Sequence, residues 1–171
     1  HLIKDHEPWD FAVVGEPTNL RVVRGCKGCL RTVVRVKGRA AHSSDPAQGR
    51  NAIVGMAPVL EAVQEFFDTE IEQFTREGFS PCTGSVGLIE GGTAVNIVPD
   101  TCAATFDIRT VPGQDTAATS SALEKFVHER VGERDGYEII FDAPYHDSPN
   151  FETPADHPLV QTACALRDQR E

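Results

Sequence analysis

The chain has 171 residues, 40% hydrophobic and 25% charged, a globular balance with length for one domain and a sizeable core. Its net charge of −10 argues against a nucleic-acid or anionic-membrane partner, since phosphate binding needs a basic field. No apolar run approaches a bilayer span, and five scattered cysteines argue against a disulfide framework and suit a reducing cytoplasm.

The start, His1-Leu2-Ile3-Lys4-Asp5, has neither a basic-then-apolar leader nor a Met, so an internal fragment of a longer protein is expected. Phe11 to Val14 is a short continuous apolar run ending at Gly15, which suits a strand buried on both faces. Glu16 then sits at the carboxyl end of that strand, where ligands gather in open α/β sheets. Leu20 to Lys37 reads as a long β stretch, broken near Gly25 to Gly28. Its second half alternates, with Leu30, Thr32, Val34 and Val36 on one face and Arg31, Val33, Arg35 and Lys37 on the other. Cys26-Lys27-Gly28-Cys29 is formally C-x-x-C, but it lacks the second pair of a zinc ribbon and reads as a tight turn or bulge.

Asn51 to Phe67 is expected as a helix, with Ile53, Met56, Leu60, Val63 and Phe67 at helical spacing. Pro58 should kink it, and Gly55 lowers its propensity. Asp68 to Ser80 reads as helix end and loop, Cys82 to Glu90 as a strand, Gly91 to Pro99 as a loop, and Thr101 to Thr110 as a strand. A second helix follows Pro112-Gly113, capped by Asp115 or Thr116, with Ala122, Leu123, Phe126 and Val127 as its stripe. Gly132 to Gly136 is a turn and Tyr137 to Phe141 a last strand. Residues 143–156 look like a linker, and His157-Pro158 opens a third helix with Leu159, Val160, Ala163 and Leu166 on its face.

Residues 20–142 therefore read β-α-β-β-α-β, an α+β ferredoxin-like sandwich of four antiparallel strands with two helices on one face. Residues 1–19 and 143–171 read as the exit strand, and the linker and re-entry helix, of a second α/β domain into which the sandwich is inserted.

Four residues could carry chemistry. Glu16 is either a solvated loop acid or one carboxylate of a metal site whose other ligands lie outside this chain. His42, bracketed by Ala40, Ala41, Ser43 and Ser44, is either an exposed loop histidine or a hydrogen-bond donor to a developing oxyanion. Asn96, behind Gly91-Gly92-Thr93, belongs either to a polar cradle or to a glycine-rich hairpin. Arg109 shares a strand face with Asp107, as a surface ion pair or as a fork for a substrate carboxylate.

Several stretches occur together in order: Val13-Val14-Gly15-Glu16-Pro17-Thr18, Val36-Lys37-Gly38-Arg39-Ala40-Ala41-His42-Ser43-Ser44-Asp45-Pro46, Gly49-Arg50-Asn51-Ala52-Ile53, Gly91-Gly92-Thr93-Ala94-Val95-Asn96-Ile97-Val98-Pro99-Asp100 and Asp107-Ile108-Arg109. They resemble the zinc amidohydrolase and metallopeptidase family of acetylornithine deacetylase, succinyl-diaminopimelate desuccinylase, aminoacylase-1 and carboxypeptidase G, most of all its acetylornithine deacetylase branch. The resemblance implies a cytoplasmic enzyme of amino-acid metabolism, in arginine biosynthesis, that removes an acyl group from an N-acyl amino acid. It implies two zinc ions, or cobalt in their place, in a catalytic domain, and a lid domain that forms a homodimer. By the same resemblance Glu16 is a zinc ligand, His42 stabilises the oxyanion in the partner subunit, and Asn96 and Arg109 hold the substrate. The family's other zinc ligands and its catalytic base would lie outside this chain, so the chain alone is expected to bind no zinc and to be inactive. The competing expectation is a non-catalytic ferredoxin-like module that binds a small molecule.

Overall fold

The computed structural model describes residues 10–133 and 136–168, which fall into two compact units. One is Cys26–Phe151; the other joins the described residues up to Gly25 to those from Glu152 onward. Residues 1–9 of the expected exit segment, two residues of the turn expected over 132–136 and the last three of the re-entry segment lie outside the described residues.

In the larger unit the elements run β1 (Cys29–Lys37), α1 (Ala52–Phe66), β2 (Thr83–Gly91), β3 (Thr101–Arg109), α2 (Thr116–Val131) and β4 (Glu138–Phe141). This is the expected β-α-β-β-α-β order. The strands form an antiparallel sheet in the order β2-β3-β1-β4. The alternation in β1 and β3 explains which face is covered. Leu30, Thr32, Val34 and Val36, with Cys102, Ala104, Phe106 and Ile108, are buried. Thr32 is polar, but its hydroxyl donates to the Asp142 carbonyl at 2.9 Å, so its burial leaves no unmet hydrogen bond.

The helices cover that face with Met56, Val59, Val63 and Phe66 from α1 and Leu123 and Val127 from α2. Asn51 caps α1: its side chain accepts from the amides of Ile53 and Val54 at 3.0 and 3.2 Å. Pro58 does not end α1, which runs on to Phe66 and passes into a single wide turn, Phe67–Ile71. Gly55 has a packing reason: a Cβ there would meet the Tyr137 ring at 2.6 Å. Two stripe residues differ from expectation. Ile53 lies on the exposed side of α1, and in α2 the buried position belongs to Thr119 rather than Ala122.

The stretch 143–156, linker-like in composition, holds a strand. β5 (His146–Ser148) continues the β4 edge and pairs with the first half of β1, Cys29 opposite Ser148 and Arg31 opposite His146. An edge strand with His146 and Asp147 exposed needs no apolar alternation, so composition concealed it. The C-x-x-C segment is drawn against this end of the sheet. Gly28 donates its amide to the Thr110 carbonyl, and a Cβ on it would sit 2.4 Å from Thr110 Oγ1.

In the smaller unit, residues 11–17 form no strand, contrary to the expectation for Phe11–Val14, and Phe11, Val13 and Val14 are exposed. A strand needs a pairing partner, and none of the described residues supplies one. Arg24 and Glu152 form a 2.5 Å ion pair, and the Thr153 amide donates to the Arg24 carbonyl. The third helix, α3 (Pro158–Asp168), starts at the expected proline; it buries Val160 and leaves Leu166 exposed.

Candidate functional site

The site is assembled where the chain leaves β1. Gly38 donates its amide to the Asp100 carbonyl, and Arg39 and Arg50 exchange backbone hydrogen bonds at 2.9 and 2.8 Å. These close the loop 39–50 onto the start of α1. A two-residue ladder, Ala41–His42 against Ile97–Val98, then joins this loop to the one between β2 and β3. The Ser43 amide donates to the Asn96 carbonyl at 3.0 Å, and Ala52 donates to the Pro99 carbonyl at 2.8 Å. The motif stretches around His42 and Asn96, fifty-four residues apart in sequence, are thus one backbone-bonded assembly.

Between them lies an open cleft of about 560 Å³, lined by Ser43, Asn51, Ile53, Thr93, Val95 and Pro99 among others. His42 and Asn96 are exposed and do not line this cleft, and Val95 is fully exposed at the loop tip. The glycines that suggested a cradle have other duties. Gly92 adopts a left-handed φ of 77°, and a Cβ on Gly91 would press on Ile53 and Cys102 at 3.0 Å.

His42 is held by a tight turn, the Asp45 amide donating to the His42 carbonyl at 3.0 Å. Its ring nitrogen Nδ1 lies 2.8 Å from Ser44 Oγ and 3.2 Å from the Ser44 amide nitrogen. Ser44 had no signal of its own in the sequence beyond being a small neighbour of His42.

Arg109 is elsewhere. It closes β3 eight residues after Thr101, about 26 Å along the strand from the His42 end of the sheet. Its Nε and Nη2 donate to the two oxygens of Asp107, at 2.5 and 3.2 Å. Arg31, opposite Asp107 in the β1–β3 register, donates from Nε to the same carboxylate at 2.8 Å. Partial burial opposes ionisation of Asp107, but the hydrogen bonds and charges of Arg31 and Arg109 prevail and hold its carboxyl below the ordinary range. The ion-pair reading of Arg109 is therefore present in the structure. Arg31 was the partner that the sequence left unassigned. Alternation placed it on the open face, but only the register puts it opposite Asp107.

Glu16 is exposed, in the smaller unit, followed by a turn in which the Thr18 amide donates to the Glu16 carbonyl. Among the described residues no three His, Cys, Asp or Glu side chains come together as a metal site. One exposed carboxylate cannot hold zinc, so these residues do not by themselves fit the implied metal. Among the described residues, no helix is long and apolar enough to cross a membrane.

Residues 24–135 match the family model described as a peptidase dimerisation domain. The chain belongs to that family. It is 38% identical over 162 residues to an acetylornithine deacetylase of Vibrio vulnificus, covering 91% of this chain and 42% of that protein. It is 36% identical over 155 residues to one from Vibrio parahaemolyticus, covering 88% and 40%. The chain thus spans about two fifths of the length of these curated relatives. Among solved structures it matches a tripeptidase from Staphylococcus aureus at TM-score 0.61 and 19% identity, over 86% of this chain and 36% of that one. It also matches an amidase of the hydantoinase/carbamoylase family from Burkholderia phymatum at TM-score 0.65 and 17% identity, over 91% and 39%. At those identities the match concerns the fold alone. The family drawn from the motifs is borne out, and the named relatives of this dimerisation domain are hydrolases.

Proposed function

We propose that this chain is the lid and dimerisation part of a cytoplasmic two-zinc deacylase that removes the acyl group from an N-acyl amino acid, of the acetylornithine deacetylase kind, acting in arginine biosynthesis. The observation that carries the reading is the assembly of His42 and Asn96 at one end of the sheet, with Arg109 about 26 Å away at the other. That span far exceeds an N-acyl amino acid. The three residues can serve one substrate only if His42 and Asn96 come from one subunit and Arg109 from its partner, which requires a two-fold dimer.

In this reading Arg109, already oriented by Asp107, takes the substrate carboxylate. Asn96 holds the amide, and His42 donates a hydrogen bond to the carbonyl oxygen as it gains charge. Glu16 is one zinc ligand, completed by residues outside this chain. Zinc would supply the activated water of such sites. The 171-residue chain alone is inactive on this account.

Self-association is assigned to the β2 edge. β2 is one of the two edge strands of the sheet; Leu88 is 62% and Ile89 53% exposed, and Ile53 and Val54 at the start of α1 are exposed as well. An apolar, unpaired edge strand is a template for a second copy, and antiparallel pairing across a two-fold axis satisfies both edges at once.

The test is hydrolysis of N-acetyl-L-ornithine by the complete enzyme. His42→Ala should lower kcat by about 100-fold or more, the usual cost of losing an oxyanion donor, with KM little changed. Full turnover by that variant, or zinc-dependent turnover by the 171-residue chain alone, would overturn the reading.

A further inference from the structure

We propose that the backbone amide of Ser44 locks His42 in one tautomer, with Nδ1 as acceptor and Nε2 carrying the proton. The proposal rests on the reading of His42 as an oxyanion donor and says which nitrogen donates.

The argument turns on what each group near Nδ1 can do. The Ser44 amide N–H lies 3.2 Å from Nδ1 and points at it. A backbone N–H only donates, so Nδ1 must present a lone pair. A proton on Nδ1 would set two N–H groups head to head. With Nδ1 accepting, the Ser44 hydroxyl, 2.8 Å away, also donates to it rather than accepting from it. A neutral imidazole with an accepting Nδ1 carries its proton on Nε2. The geometry is built into the chain. The turn closed by the Asp45 amide on the His42 carbonyl brings Ser44 within hydrogen-bond reach of Nδ1, and the Ala41–His42 ladder and the Ser43–Asn96 hydrogen bond fix the turn.

The consequence is directional. A histidine that switches tautomer presents a donor at Nε2 only part of the time, and a lone pair facing a developing oxyanion repels it. Ser44 keeps the exposed ring in the donating form before substrate arrives, which is preorganisation in the sense that matters for charge stabilisation. Ser44 itself touches no reacting atom.

The experiment is long-range proton–nitrogen correlation NMR on the ¹⁵N-labelled 171-residue chain at a pH where the imidazole is neutral, the His42 signals being assigned by their loss in His42→Gln. The expected result is a single tautomer, Nδ1 unprotonated and Nε2 protonated. Ser44→Ala removes the hydroxyl, which can pair with Nδ1 in either tautomer, but keeps the amide, which pairs only with an unprotonated Nδ1, so the tautomer should be unchanged in that variant. A coupling across the hydrogen bond between the Ser44 amide nitrogen and Nδ1 should appear in both chains. A proton on Nδ1 in the native chain, the absence of that coupling, or a switch to Nδ1–H in Ser44→Ala overturns the proposal. The two failures are separable: a missing coupling removes the Ser44 amide from its role, whereas full turnover by His42→Ala removes the oxyanion reading beneath it.

Discussion

Gly84 lies directly against the ring of Phe67: a Cβ on this glycine would sit 2.4 Å from Phe67 Cδ1 and 2.5 Å from Cγ. Phe67 is buried where α1 passes into its wide final turn, and it meets Phe66 and Phe106 edge to face. The ring cannot retreat into solvent. Gly84→Ala should therefore destabilise the chain by about 1–3 kcal/mol through overpacking, reduced by the ~0.4–1 kcal/mol that alanine gains from a less disordered unfolded chain. A lower denaturant midpoint at unchanged slope in urea unfolding is the expected readout; an unchanged midpoint would show that β2 can shift away from the ring.

Asp107 gives the fold an acid-sensitive contact. Arg31 and Arg109 hold its carboxyl below the ordinary range, so the native state prefers it charged more strongly than the unfolded chain does. That stability is complete above the unfolded value near 3.9 and is lost as pH falls through the lower folded value. Asp107→Asn should lower Tm at neutral pH, and the gap to the native chain should close below about pH 4. A gap that persists unchanged at low pH would mean that packing, not charge, is what the substitution removes.

The β2 edge can be tested without touching the core. Ile89→Lys places a charge on an exposed edge position, a device that edge strands use against pairing. Analytical ultracentrifugation at micromolar concentration should show a dimer for the native chain and a monomer for Ile89→Lys. A dimer in both would move the interface off this edge.

Much of this architecture was legible in the sequence because two periodicities are strong. The period-2 alternation of Leu30 to Val36 and of Cys102 to Ile108 gave strands with the correct buried face, and Asn51 and Asp115 marked where the helices begin. Alternation could not place the bulge between Val86 and Leu88. The extra residue turns Ile89 and Gly91, rather than Leu88 and Glu90, toward the helix side. The register that sets Arg31 opposite Asp107 is likewise absent from any local pattern. At the site, small residues around His42 and the spacing to Asn96 were readable. The hold of Ser44 on the ring was not, since it depends on a turn whose geometry no single residue announces.

Asn51 links helix and site, so its removal should be felt in both. Its side chain accepts from Ile53 and Val54 at the start of α1, and its neighbour Arg50 is bonded through the backbone to Arg39 at the base of the His42 loop. Asn51→Ala should cost about 1 kcal/mol, the usual effect of losing an N-cap. The strand amides of β1 should keep their hydrogen-exchange protection relative to the global stability, whereas the amides of Arg39, Arg50 and Ser43 should exchange faster. Uniform loss across all of them would mean that the cap supports only the fold as a whole and that the His42 loop is held independently of it.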